Sequence, residues 1–174
     1  MIQAWHFVNN VLRDGRPIPK DDVWLEHTGD IVICGSGLHA SRDPFDALRY
    51  APGPWLCRVE MDGVVVEHAD KLVARRRRII ERKDTSEGLR YFARMQALSV
   101  VHLWDAPEVV LDYLMTGDDT LRDAARAAAR ARAAATRAAA MDADRADAAW
   151  AAARAAARDH FNALVREGFN IPGV

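Results

Sequence analysis

From Ala124 to Arg158, 22 of 35 residues are alanine and seven are arginine, and neither glycine nor proline occurs between Gly117 and Gly168. Alanine loses no side-chain entropy in a helix and has the highest helix propensity, so local preference alone dictates helix here. Asp118-Asp119-Thr120 supplies a helix start. Unbroken to Arg166, the helix would run about 70 Å at 1.5 Å per residue, longer than the rest of the chain is wide when folded. Met141–Asp147 is the one stretch suited to turning it into a hairpin. Alanine buries little area but lets backbones approach closely, which suits pairing with its own other half or with a second copy. A homodimer along this helix is the favoured form. The quasi-repeat AAARAAAR, intact at Ala151–Arg158, puts arginines four apart on one face. That face is either the solvated side of a spacer helix or an RNA-binding surface. Trp150, Phe161, Leu164 and Val165 are the expected anchors at the far end.

Residues 1–83 follow a different pattern. Short apolar runs alternate with Gly, Pro and Asp breaks, the pattern of a β-rich domain. Strands are expected at Ala4–Val8, Asp30–Cys34, Trp55–Met61, Val64–His68 and Leu72–Ile80. Residues 84–117 read as two connecting helices. Asp84 with Glu87 offers a capping box for the first, running to about Trp104. Asp105-Ala-Pro-Glu108 opens the second, which stops at Gly117. Residues 118–174 hold the alanine/arginine helix or hairpin and a tail. The fold class is α+β.

A formal net charge of −1 gives no global attraction to nucleic acid or membrane. Cys34 and Cys57 sit in apolar strand contexts and read as small buried hydrophobes, not as a disulfide. No metal-ligand spacing is present. The first residues, MIQAWHFVNN, carry no signal-peptide pattern, and no run is apolar enough to span a bilayer, so a cytoplasmic protein is expected.

Residues 35–63, GSGLHASRDPFDALRYAPGPWLCRVEMDG, bear most on function. Gly35 and Gly37 allow a backbone to approach a flat ligand, or simply mark a turn into a strand. Asp43-Pro44 suits a helix start, Ala47, Leu48 and Ala51 give its apolar face, and Pro52-Gly53-Pro54 ends it. The order Gly-x-Gly, short strand, helix ending in an aromatic residue, strand closing on Gly resembles the nicotinamide-pocket segment of ADP-ribosyltransferases. That frame puts Gly35, Gly37, Leu38, His39, Ser41, Ala47, Tyr50 and Gly63 on family positions.

The resemblance implies NAD as cofactor and a set of roles. Ala4-Trp5-His6 resembles the family's first strand, which makes His6 the ribose contact, while Phe7 stands where the family has Gly. His39 replaces the tyrosine that stacks on nicotinamide; an imidazole can stack, or bond a phosphate. Ala47 replaces a serine that bonds nicotinamide, and Tyr50 matches the second aromatic wall. Gly35, Gly37 and Ser41 complete the cofactor-binding set. Glu81, following Ile79-Ile80, is the choice for the catalytic acidic residue, and simple alternation would place it on a face with Ile79, Arg77 and Arg75. A surface salt bridge is the simpler single explanation of Glu81. Glu60 alternates toward solvent and Glu87 reads as a cap.

A second resemblance covers nearly the whole chain. Gly37–Ala40 and Asp70–Arg75, ahead of an alanine/arginine helix, resemble motifs of an uncharacterised family of bacteriophages and actinobacterial prophages. It implies a phage-related setting without an assigned chemistry. Between Lys71 and Lys83 there are seven basic residues and one acid. In a strand, at most half of Arg75, Arg76, Arg77 and Arg78 could meet one phosphate backbone; the alternative is pairing with Asp21-Asp22 or Asp118-Asp119. Two functions follow. The first is an ADP-ribosyltransferase-like enzyme modifying a host macromolecule. The second is a non-catalytic phage protein, such as an inhibitor of host defence, that binds a host protein or nucleic acid through its basic strand and long helix. A structural protein dimerising through the alanine helix is a third reading.

Overall fold

The computed structural model describes residues 1–33, 35–137 and 146–171. Two thirteen-residue strands, β4 (Trp55–Glu67) and β5 (Leu72–Asp84), organise the N-terminal part as one long antiparallel hairpin. β1 (Ile2–Val8) pairs antiparallel with β4. The other edge of β5 takes two short strands in succession: β3 (Leu38–Ala40) against Leu72–Ala74, and β2 (Leu25–Glu26) against Arg76 and Arg77. Ser41, just past β3, then exchanges both backbone hydrogen bonds with Trp5 of β1, at 2.7 and 2.9 Å. The sheet therefore curls until β3 meets β1, a barrel-like closure that leaves β1 with partners on both edges.

The curled sheet buries both faces of β1 and β4. Ala4, Val8, Cys57, Val59, Met61, Leu72, Ala74 and Ile79 form the inner core. Trp5, Phe7 and Leu56 alternate to the outer face and are also buried. A five-residue helix, α1 (Pro44–Leu48), opens as its sequence demands. Asp43 caps it by accepting from the Phe45 and Asp46 N–H groups, with Pro44 in the first turn. On the outer face Phe161 meets Phe45 at 6.1 Å and Phe169 meets Trp5 at 5.1 Å, both edge-on. Asn162 bonds the capping carboxylate of Asp43 at 2.8 Å. Residues 161–174 accordingly form one compact unit with residues 1–87, and residues 88–160 form a second.

That second unit is helical. α2 (Ser86–Ser99) begins in the first unit and is followed by a 3-10 turn, Val101–Leu103, then by α3 (Glu108–Thr116) and α4 (Arg122–Arg137). α5 (Ala146–Gly168) runs from it into the residues of the first unit. Gly117 ends α3 in the left-handed region at φ 71°, and a Cβ there would lie 2.4 Å from the Arg94 guanidinium carbon. Val110, Leu114 and Ala125 make a small core flanked by Ala97, Leu98, Ala128 and Ala129.

The α+β class is the one the sequence indicates, with differences in detail. The two strands expected at 55–61 and 64–68 are one continuous strand through Gly63. The strand expected at Asp30–Cys34 is instead a turn: Gly35 and Ser36 both donate to the Val32 carbonyl, satisfying backbone groups that a strand would have paired. Cys34 lies outside the described residues, as do 138–145, where the hairpin turn near Met141–Asp147 was expected, and the Trp150 side chain. The helix expected to reach Trp104 stops at Ser99. No helix among the described residues is long and apolar enough to cross a membrane.

Candidate functional site

The two sequence motifs that recur in the phage-related resemblance are one structural unit. Leu38, His39 and Ala40 pair with Ala74, Val73 and Leu72. Ser41 is fully buried and donates its hydroxyl to the Asp70 carbonyl at 2.7 Å. Gly37 has φ 107°, and a Cβ there would sit 2.6 Å from Val73 Cγ1 and 2.9 Å from Ile31 Cδ1, so only glycine fits. Gly35 lacks a positive φ and closes the turn by donating to Val32 at 2.9 Å. Gly35, Gly37 and Ser41 thus have structural tasks that account for them without a ligand.

Tyr50 is half exposed. Its hydroxyl donates to Asp70 at 2.5 Å, Arg49 pairs with the same carboxylate at 3.1 Å, and the Lys71 ammonium stands 4.8 Å from the ring centre. The Tyr50 hydrogen bond, aided by Lys71 and Arg49, holds the Asp70 carboxyl below its ordinary range. Tyr50 therefore fastens the end of α1 to the start of β5.

His6 and His39 belong to adjoining strands but alternate to opposite faces, His6 with the core residues Ala4 and Val8, His39 with Val73 and Ser41. β1 places His6 on the core face, between Ala4 and Val8 and opposite Cys57. Burial holds the His6 imidazole well below its ordinary pKa, with Arg77 and then His39 adding repulsion. His39 is half-buried. Burial lowers its pKa as well; a contact from its Nδ1 to the Gly37 carbonyl at 3.1 Å opposes that, and Arg77, Lys71 and Arg13 reinforce it. Arg77 links the pair. It is only 7% exposed and donates from Nη1 to the His39 carbonyl. No carboxylate among the described residues neutralises it, and burial draws it down to about 10, so it remains a cation at neutral pH. Cys57, pushed up to about 11 by burial, stays a neutral thiol beside it. Arg77 therefore puts a positive charge inside the curled sheet beside the neutral imidazole of His6, whereas His39 alternates with the core residue Ala40 and lies on the outer side with Ser41 and Val73.

Glu81 does not join His6 and Arg77. The β4–β5 ladder pairs Val59 with Ile79 but Arg58 with Glu81, so Ile80 is an extra residue, a β-bulge. The bulge resets the alternation. Glu81 shares the outer face with Arg58 and Trp5, opposite to His6 and Cys57, and the simple count that aligned it with Arg77 and Ile79 fails there. Its carboxylate pairs with Lys83 at 3.3 Å and Arg58 at 3.5 Å.

The four consecutive arginines serve three purposes. Arg75 is exposed and donates to the Gly29 carbonyl at 3.1 Å. Arg76 pairs with Glu26 at 2.9 Å and Asp62 at 3.2 Å, Arg78 pairs with Glu60 at 2.6 Å, and both stack on Trp24, at 4.6 and 5.0 Å from the ring centre. Arg77 is the buried member. Pairing with acids of the same sheet, not display to solvent, dominates this run. Arg13 and Lys71 are the neighbours of His39 that sequence reasoning did not assign to the site; Lys71 stands in the Asp70–Arg75 motif, Arg13 in none. Arg77 was detectable through its alternation with buried Ile79.

Beside Arg77, a cavity of about 10 Å³ under Ile18, Pro19 and Val23 has room for one water at most. Among the described residues no cluster of His, Cys, Asp and Glu could hold a metal ion.

Fold and site together define a small curled antiparallel sheet with a polar, cationic interior cluster of His6, Cys57 and Arg77. The chain belongs to a family described as a domain of unknown function, DUF7666, which matches it over residues 2–90. No curated protein and no solved structure matches it.

Proposed function

We propose that this chain is a phage-related recognition protein that binds a ligand of its host around His6, His39 and Arg77 without transferring ADP-ribose. The β-bulge at Ile80 carries this reading, because it turns Glu81 to the face opposite His6 and into ion pairs with Arg58 and Lys83. A transferase needs an acidic group to orient the ribose on the same side as the residues that bind it. The ion pairs of Arg76 and Arg78 favour a small ligand over a nucleic-acid backbone, since they leave little unpaired charge on that strand. The full chain incubated with NAD should release no nicotinamide above the blank, and Glu81→Gln should behave as the parent does. Nicotinamide release that disappears in Glu81→Gln would overturn this reading.

One observation favours the second reading, an NAD-dependent ADP-ribosyltransferase: His6 is buried next to the Arg77 cation on adjoining strands of one curled sheet. Under it, His6→Ala would abolish a thermal shift produced by NAD, because a ligand bound only to the folded state raises its stability. Self-association along the alanine-rich helices would make the acting species a homodimer, which light scattering of the full chain tests.

A further inference from the structure

Arg77 is a cation that the fold buries without an opposite charge. It is 7% exposed, and of the five N–H groups on its guanidinium a single one, on Nη1, meets an acceptor among the described residues, the His39 carbonyl. A carbonyl satisfies a donor but does not balance a charge, and an uncompensated buried charge is far more costly than a buried neutral group. The acids of neighbouring segments are engaged elsewhere. Arg82 Nε donates to Asp21 at 2.7 Å, and Glu26 pairs with Arg76 at 2.9 Å. The groups beside Arg77 in the interior supply no negative charge either, because burial keeps the His6 imidazole neutral and the Cys57 thiol protonated.

The space next to Arg77 suits one kind of occupant. Arg77 is the only polar side chain lining the cavity of about 10 Å³. Its other walls are apolar, with Val8 and Ile79 from the strands and Leu12, Ile18, Pro19 and Val23 from the segment between β1 and β2. That volume holds one water-sized sphere and excludes phosphate, sulfate or a carboxylate ligand. A water there would accept from the guanidinium, but it would leave the charge unbalanced and turn its own protons toward apolar walls. A monatomic anion has no protons to satisfy and supplies the missing charge. Chloride is slightly larger than water, and the wall that yields to it is the loop side, where Val23 is half exposed, not the sheet.

We propose that the cavity beside Arg77 binds a chloride ion as the counter-ion of that buried guanidinium. The inference goes beyond the recognition reading and does not need it, since a counter-ion belongs to the free protein and acts by stabilising the curled sheet.

The test is thermal melting of the full chain at constant ionic strength, with sodium chloride replacing sodium gluconate, whose anion is too large to enter. A ligand bound only to the folded state stabilises it by mass action, so the Tm should rise with chloride, by about 3 °C at about ten times the Kd. Bromide should act as chloride does, and its anomalous scattering in a crystal should lie beside Arg77. Arg77→Met puts an apolar side chain of similar length in place of the cation and should remove the chloride dependence while still folding, because apolar replacement of a buried charge is often neutral or stabilising. Ile18→Phe fills the cavity but keeps the cation and its carbonyl bond, and the dependence should vanish there too. Equal melting temperatures in chloride and gluconate would overturn the proposal. So would a chloride effect that persists in Arg77→Met, which would assign it to surface charges. Neither result bears on nicotinamide release, which tests the recognition reading separately.

Discussion

The curled sheet and the alanine-rich helices of this chain reach order by opposite routes. In the sheet, Leu56, Cys57, Val59, Met61 and Val73 are wholly buried, and every strand pairs with residues distant in sequence. In α4, Ala125 is the only residue that the described side chains show as buried, and exposed alanines and arginines occupy most of the positions described between Arg122 and Ala133. The sheet gains from area removed from water and from paired backbone, the helix from low entropic cost per residue. Substitutions should therefore be severe and non-local in one region, small and local in the other.

The strongest way to break that contrast is to remove the end of the chain. Phe161, Val165 and Phe169 are 3%, 5% and 6% exposed and cover the sheet's outer face, although they follow the alanine-rich segment. A chain ending at His160 should lose about 5 kcal/mol, from three large side chains at 1.5–3 kcal/mol each. Near-ultraviolet circular dichroism of Trp5 and the urea midpoint would report it. An unchanged midpoint would show that residues 161–171 are not part of the first unit's core.

Next in size is Gly37→Ala. Its φ of 107° and the 2.6 Å approach to Val73 combine backbone strain with overpacking, for an expected loss of about 3 kcal/mol in urea unfolding. Gly35→Ala, with ordinary φ and a contact to the Val32 side chain at 3.2 Å, should cost clearly less.

A smaller effect follows from His6, whose folded pKa lies below the ordinary 6.5. Between that folded value and about 6.5 the unfolded chain binds more protons, so stability is lost as pH falls through this window, by at most about 1.4 kcal/mol per pH unit. Above it the group contributes no slope. Carboxylates titrate mainly below about pH 5, so melting temperatures from pH 7 to 5 isolate the imidazoles. His6→Gln should flatten that limb, with the half-buried His39 leaving a weaker remnant.

The smallest effects belong to α4. Ala127→Gly on its exposed face should cost about 1 kcal/mol through propensity alone, and Arg126→Ala less than about 0.5 kcal/mol. Losses above 2 kcal/mol at either position, measured by thermal melting, would mean that this face is covered in solution and would sharpen the case for a homodimer.

Much of the fold was legible because its signals are local. Asp43 caps α1, Gly117 stops α3, and alternation in Ala4–Val8 marks β1, each readable within a few residues. Helix in the alanine/arginine segment follows from propensity, as α4 and the described part of α5 bear. The candidate site was less legible. Its motif, Gly37–Ser41, could be found in the sequence, but the tasks of its members could not, because Ser41 and Tyr50 both answer to Asp70, 29 and 20 positions away.

Three features were decided only by tertiary structure. The bond of Trp5 to Ser41 closes the sheet, the extra residue at Ile80 sends Glu81 to the outer face, and the outer face itself is covered by residues 161–171. Sequence determines what a segment prefers, through propensity, caps and period. It does not determine which distant strand supplies a partner or where a bulge interrupts the count. A one-residue bulge inverts every later side chain while leaving local preference unchanged, so the face that Glu81 occupies is set by its pairing with β4.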